Sequence, residues 1–497
     1  MPSRRRCRSQ GKRICVVVGA RAFSLSLSHS LTRESGPALS YGNGDLEVVS
    51  SIKEEVSPKL CKTKLLDLRG LASSGFSMDS LPIEVVGNIL SHVASARDVV
   101  IASATCRKWR EAARHHLHKL IFSSSDWPTY KNLSVSQCEI IITETVMRTK
   151  CLHELSICMG LTKEFSAALV IAWLMHTKET LKSLTFMNPT KPKVNILEKC
   201  GGQKLEHLVW GFAHISTVDP TIHKFPCLIS LTLNNRAALS ALDLNLLLSV
   251  CPKLEYLFLA NIDITFSNAR FMIELNSASL KTLNIEGLSV DTVVLEADKL
   301  ESLILRDSTF EQFELVSKGS LRHLRIEDVS IIQLDIGQSA DLLEEVIVSD
   351  FTIIWPRFYQ MISRASNLQK LRLGGLPFDA EDEAIDLDMI ASSFPTLNFL
   401  ALNYSLGDGH YEHAFRGSTV LEKVAVLELG TSKIHELFAQ WIAGFLERCP
   451  NLKKLGIHGT ISEAKSREDY QLIGRFTSSM VDLMRQYSHV DVTFEFS

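Results

Sequence analysis

"LKTLNIEGLSVDTVVLEADKLESLIL", residues 280–305, states one short phrase twice. Each copy reads L-x-x-L-x-L, with Ile accepted in the last place, and the two starts lie 20 residues apart. The last two apolar places alternate with period two, the pattern of a strand that buries one face. Between the copies, "SVDTVVLEADK" is rich in β-branched residues and leaves little room for a helix, so it reads as extended chain. The phrase recurs in both directions. Upstream it stands as "LHELSI" at 152, "LKSLTF" at 181, "LEHLVW" at 205, "LISLTL" at 228 and "LEYLFL" at 254. Downstream it stands as "LRHLRI" at 321, "LEEVIV" at 343, "LQKLRL" at 368, "LNFLAL" at 397, "VAVLEL" at 424 and "LKKLGI" at 452.

Thirteen phrases spaced 20 to 29 residues apart are the signature of leucine-rich repeats. Each unit supplies one strand to a parallel sheet and cannot bury its apolar face alone, so neighbours stack into a curved α/β solenoid with the sheet on the concave side. Where the spacing widens, "FYQMISRAS", "LDMIASSF" and "HELFAQWIAGFLERC" read as convex-side helices. A helix through "DYQLIGRFTSSMVDLMRQY" and a last strand, "VDVTFEF", are expected to close the array. Residues flanking the middle leucine point outward by the period of two. They include Tyr256, Phe258, Ile304, Arg306, His323, Arg325, Glu327, Ile347, Lys370 and Arg372. Aromatic and arginine side chains are the usual anchors of protein interfaces, so this face is the candidate binding surface for a protein, with an acidic or phosphorylated segment suited to its cations.

Ahead of the repeats, "MDSLPIEVVGNILSHV" (78–93) places Val86, Ile89, Leu90 and Val93 on one helix face, with Pro82 suited to the first turn. Asp98 is the expected cap of a second helix, and Thr105 of a third whose face runs through Cys106, Trp109, Ala113 and Leu117. Some forty residues rarely bury a sizeable core alone, so the apolar face of the first helix is expected to meet a partner. Leu81, Pro82, Glu84, Ile89, Leu90, Asp98, Cys106 and Trp109 together resemble the F-box pattern, with Val93 where that family more often has leucine. The openings "CPKLEYL", "CPNLKKL", "FPTLNFL" and "FPCLISL" extend the resemblance to plant-type F-box/leucine-rich-repeat proteins over residues 79–497. The resemblance implies that Leu81, Pro82, Val86, Ile89, Leu90, Val93 and Trp109 dock a Skp adaptor, and through it the cullin and RING subunits of a ubiquitin ligase. The repeats would then select the protein to be ubiquitinated, in the nucleus or cytoplasm, with no cofactor and no chemistry of their own.

Composition narrows the alternatives. The chain has 497 residues and a formal net charge of -3, but residues 1–77 hold 13 Lys+Arg against 6 Asp+Glu, so the remaining 420 carry about -10. An acidic body does not favour nucleic-acid binding, and no apolar run reaches the length of a membrane span. The 11 cysteines include no C-x-x-C pair, which reads as reduced thiols rather than a zinc module. His115, His116 and His118 lack a carboxylate or cysteine at ligand spacing and read as a solvated helix end. There is no Walker A phrase, G-x-S-x-G or H-E-x-x-H. The domain reading is therefore a basic, Ser-rich tail over 1–77, disordered, a targeting segment or preceding the true start; an F-box over 78–122; and the solenoid over 123–497. A hormone-type receptor for a small acid and a non-degrading scaffold remain open on this fold. A leucine-rich GTPase activator would need a catalytic loop residue and would carry no F-box.

Overall fold

Every one of the thirteen phrases forms a strand that starts two residues after its first leucine, from Glu154–Cys158 to Lys454–Gly459. The computed structural model describes residues 80–496 apart from 126–128, 161, 196–201, 203, 213–224, 235–237, 266–271, 317–318, 376–386, 405–418, 432–435 and 460–465. The expectations for residues 1–77 lie outside them. The strands pair in parallel and strictly in register, so that Leu257, Leu283, Leu303, Leu324, Val346 and Leu371 stand side by side. These side chains are all but inaccessible to solvent. Burying one such aliphatic residue stabilises the fold by about 1.5–3 kcal/mol, and the repeat multiplies that gain along the array.

The ladder extends beyond the thirteen phrases at both ends. Lys119–Ser123 pairs in parallel with Glu154–Cys158, and Asp491–Phe496 pairs with Lys454–Gly459. The C-terminal strand and its helix, Arg467–Gln486, agree with the sequence reading. The strand at 119 does not. "LHKLIF" at 117 is a fourteenth phrase, with Leu117, Leu120 and Phe122 buried, and it crosses the expected boundary at 122/123. Leu117 accordingly leaves the helix it was assigned to.

In the units that begin at 254, 280, 300, 321, 343 and 368 the backbone turns through a left-handed residue at a fixed place, seven residues after the first leucine. Asn261, Asp307, Asp328 and Asp350 occupy it with φ between 45° and 53°, and Gly287 and Gly375 occupy the same place in their own units. Asn and Asp tolerate this conformation best among residues with a Cβ.

The convex side changes character midway. Ala241–Val250, Trp355–Ile362, Leu387–Ser393 and Glu436–Arg448 are helical, the last three as the sequence reading expected. Between the first two of these, Met272–Asn276 and Ser289–Glu296 are strands, and Ser302–Val316 and His323–Asp335 are long enough to serve both sides. Their distal halves form a second parallel layer, with Asn276 opposite Glu296 and Glu296 opposite Val316. Phe310 and Phe313 fill the space within, their rings edge to face at 5.9 Å.

Three helices precede the ladder: α1 (Ile83–Val93), α2 (Ala96–Ser103) and α3 (Arg107–His115). Ser95, not Asp98, stands at the cap position of α2, and Asp98 lies inside the first turn, where its charge suits the helix N-terminus. Cys106 stands before α3, while the Thr105 hydroxyl turns back to donate to the Ala102 carbonyl at 2.7 Å. The helices join the ladder directly. The Ile121 N–H donates to the Ala94 carbonyl at 2.8 Å, and the His118 N–H donates to Ser91 Oγ at 2.8 Å. Among the described residues no helix is long and apolar enough to cross a membrane.

Candidate interaction surfaces

The apolar stripe of α1 is wide enough to face two ways. Val86 and Leu90 turn inward and are fully buried with Val99, Ala112, Leu117 and Leu120. Gly87 lies between them, where a methyl group would come within 2.5 Å of the His116 carbonyl oxygen. Val86 and Leu90 are therefore core residues, and the expectation that they touch a partner is corrected. Outward, Pro82 is exposed, Val85 and Val93 are 41% and 45% exposed, and Ile89 is half-buried. Val100 and Ile101 of α2 add two further exposed aliphatics, at 44% and 50%. Leu81 and Trp109 are half-buried and pack on the core while keeping part of their surface in water. The sequence reading missed Val85, although it precedes Ile89 and Val93 by four and eight places, on the same flank of the helix.

On the concave sheet, Ile304, Arg325, Ile347 and Arg372 stand on four successive strands in one row. Tyr256 and Phe258 are separated from them by the strand carrying Thr282 and Asn284. Tyr256 is the most open of the predicted aromatics, at 47%, and Phe258 and Ile347 are half-buried. Ile304 points outward by register but is only 5% exposed, so it serves as floor rather than anchor.

The cations do not form an open basic patch. Glu327 receives Arg306 at 2.9 Å and Arg325 at 2.8 Å. Glu345 receives His323 at 3.3 Å and Lys370 at 3.6 Å. Arg372 reaches past Ala401 to Glu428 at 2.5 Å and lies over the Phe399 ring, 5.7 Å from its centroid. Burial pushes the Glu327 carboxyl up, but the Arg325 and Arg306 guanidiniums outweigh it and hold the group below the ordinary carboxylate range. The hydrogen bond from His323 likewise lowers Glu345 against the effect of burial, with help from Lys370, and raises His323 in return. Glu286, half-buried beside this network, is raised by burial despite the nearby Arg306. Glu345, Phe399 and Glu428 were legible in principle, since they occupy outward places of "LEEVIV", "LNFLAL" and "VAVLEL". Of the carboxylates in this network the sequence reading named Glu327 alone, and it stopped at Lys370 and Arg372, before Phe399 and Glu428.

Among the described residues no group of three or more His, Cys, Asp or Glu side chains is arranged to hold a metal ion. Cys251 and Cys449 are buried thiols whose pKa is pushed up to about 12 by desolvation.

Comparison with known proteins bears on both surfaces. An F-box-like family profile matches residues 78–124. The profile for the repeats of the FBD-associated F-box protein At5g56370 matches residues 170–338. F-box/LRR-repeat protein At1g67190 of Arabidopsis thaliana is 51% identical over 419 residues, which span 84% of this chain and all of that protein. The chain belongs to the F-box/leucine-rich-repeat family. F-box protein At1g10780 of the same plant is 22% identical over 305 residues, 59% of this chain and 69% of that protein. In this F-box/leucine-rich-repeat protein the outer flank of α1, with α2, is the exposed apolar surface of the F-box. The inner flank joins it to the repeats.

Proposed function

We propose that this protein is the substrate-recognition subunit of a Skp–cullin–F-box-type ubiquitin ligase, working in the nucleus or cytoplasm. The observation that carries the reading is the set of exposed aliphatics Val85, Val93, Val100 and Ile101, with half-buried Ile89 between the first two, on an F-box whose inner flank is already filled. Such a cluster in water is unfavourable by roughly 25 cal/mol per Å² and is relieved by a partner. Docked there, the Skp adaptor would carry the cullin and RING subunits, which supply the chemistry, while this chain supplies position.

For the substrate, the charge pairing argues for recognition by shape and apolar contact more than by net charge. An acidic or phosphorylated segment would compete with Glu327, Glu345 and Glu428 for cations already engaged. Tyr256 and Phe258, flanked by the uncharged Ser230, Thr232, Thr282 and Asn284, offer a site for a large apolar side chain. The test is co-purification with a Skp adaptor. Wild type is retained, Val85→Asp with Ile89→Asp is not, and both keep the same far-UV circular dichroism. Equal retention of the two would remove the ligase reading.

A further inference from the structure

The last unit of the ladder presents a face that neither the F-box nor the concave sheet uses. Asp491–Phe496 pairs with Lys454–Gly459 on one side only among the described residues. The Asp491 N–H donates to the Lys453 carbonyl at 2.9 Å, so the odd residues of the strand bond inward and the backbone groups of Val492 and Phe494 point to the free edge. That edge is open, for Thr493, Phe494 and Glu495 are all exposed. Phe494 stands opposite Ile457 of the preceding unit, which is inaccessible to solvent, yet Phe494 itself is 39% exposed. The helix before the strand, Arg467–Gln486, continues the same face. Its inner side turns Phe476 back to stack on Phe438 of the preceding helix at 6.0 Å, with Met480 buried beside it. A second stripe, Tyr470, Gly474, Thr477, Val481 and Met484, keeps helical spacing and is exposed throughout. In a right-handed coil of parallel strands, with Phe476 turned to the preceding helix, the right-handed winding of this helix carries the stripe to the end of the array, beside Phe494.

We propose that this end is a self-association surface, taking a second copy of the same chain in a two-fold dimer that joins the two sheets edge to edge. Antiparallel pairing of the free edges sets even residues against even residues. Centred on Thr493, it would place Asp491 opposite Glu495 twice, and like charges directly opposite destabilise a pair. Centred on Phe494, it places Phe494 against its own copy and Thr493 against Glu495, with no like charges opposite. The acidic side chains of the edge are turned to the preceding strand, Glu495 meeting His458 at 3.2 Å and Asp491 standing opposite Lys454. The helix stripe obeys the same symmetry. About Thr477, Tyr470 meets Met484 of the second copy, and Gly474, where a Cβ would meet nothing within 4 Å, receives Val481. Thr477 lies about 14 Å before the helix end and Phe494 about 10 Å after the strand begins, so one two-fold axis passes close to both. The helix is about 30 Å long and 10 Å across, and with the strand beside it the end offers roughly 600 Å² per copy, the low end for a specific interface. A dimer of micromolar strength would set two concave faces in one continuous sheet, where a target carrying two recognition segments gains avidity.

The test follows the full chain by sedimentation velocity from about 1 to 100 µM, where a monomer–dimer equilibrium is expected. Val481→Glu with Met484→Glu, both at exposed helix positions, and separately Phe494→Glu should each weaken the dimer by at least about tenfold. Ser479→Glu, on the polar side of the same helix, should leave it unchanged. Thr477→Cys lies on the axis and should form an interchain disulfide on mild oxidation, which wild type and Ser479→Cys should not. The Val492 and Phe494 amides should exchange more slowly as concentration rises. The Val85→Asp, Ile89→Asp protein should dimerise as wild type does, which separates this face from the surface of the F-box. A chain that stays monomeric over that range, a dimer that survives both the helix and the strand substitutions, or open-ended growth beyond the dimer overturns the proposal.

Discussion

Gly87→Ala separates helix propensity from packing, because the two act in opposite directions there. In an open helix the change would gain about 1 kcal/mol, since alanine is the better helix former. Here the new methyl group would lie 2.5 Å from the His116 carbonyl oxygen and 2.9 Å from its carbon, both of them backbone atoms that no rotamer change can move. Relief requires α1 to lift from the segment leading into the first strand. Overpacking of this kind costs about 1–3 kcal/mol. The shift would also stretch the Ser91 Oγ bond to the His118 N–H and the Ala94 carbonyl bond to Ile121, each contributing about 1 kcal/mol. The net expectation is a loss of about 1–3 kcal/mol, confined to the joint. Native-state hydrogen exchange reads it directly. The His118 and Ile121 amides should exchange about 5- to 150-fold faster, while amides in the central ladder stay as they were. Asn88→Ala, one residue on and exposed, serves as the control. Slower or unchanged exchange in Gly87→Ala would refute the close approach of α1 to His116 and the coupling inferred from it.

Three further outcomes are expected. Leu90→Ala should destabilise the F-box by about 2–5 kcal/mol in chemical denaturation, whereas Val93→Ser should leave stability nearly unchanged and weaken adaptor binding measured by calorimetry. Tyr256→Ala with Phe258→Ala should reduce capture of proteins that accumulate on proteasome inhibition by at least about thirtyfold in affinity, with adaptor binding intact. Undiminished capture would move recognition off these strands. The His323–Glu345 pair should give a pH-dependent contribution. His323 is raised in the fold, so its part is fully present below about 6.5 and lost as pH rises through the raised value. Glu345 is lowered, so its part is present above about 4.5 and lost as pH falls through the lowered value. Wild type should therefore exceed His323→Gln in melting temperature most between those limits, and a constant difference from pH 4 to 9 would contradict the pairing.

The fold was legible because the repeat imposes its own check. Any one phrase could be accidental, but thirteen starts predict thirteen strands, and a slip of one residue would have turned every leucine outward. The helix-free stretch between 280 and 321 followed from spacing, since 20 or 21 residues leave little room for a helix beside a strand and two turns, whereas the strand Met272–Asn276 lies in a wider gap of 26 residues that spacing did not decide. What escaped had a physical reason in each case. "LHKLIF" was hidden because Leu117 also continues the apolar period of α3, and only the neighbouring strand decides between the two. Val86 and Leu90 were placed at an interface because periodicity shows that a face is apolar, not what covers it. The basic patch failed as a patch because charge at one place of a repeat says nothing until its neighbours in the row are read with it.

The strand at 119 bears on how such a protein works. With the boundary at 122/123, a linker could have joined the F-box to the repeats, and the substrate would swing relative to the adaptor. The structure leaves no room for that hinge. The chain leaves α3 at His115 and enters the ladder at Lys119, with only three residues between. The Lys150 N–H donates to the Arg114 carbonyl at 3.0 Å, and the His153 and Glu154 N–H groups both donate to the His118 carbonyl at 2.8 Å. Rings of His118 and His153 stack at 4.5 Å across the same seam. A proximity catalyst gains from such stiffness, because the effective concentration of a tethered target falls as its tether lengthens. Inserting a flexible Gly-Ser segment of ten residues between His116 and Leu117 should therefore leave adaptor binding and concave-face binding intact as separate events, yet slow ubiquitin transfer to a bound target in a reconstituted ligase. Transfer at the wild-type rate would show that orientation at this joint is not used.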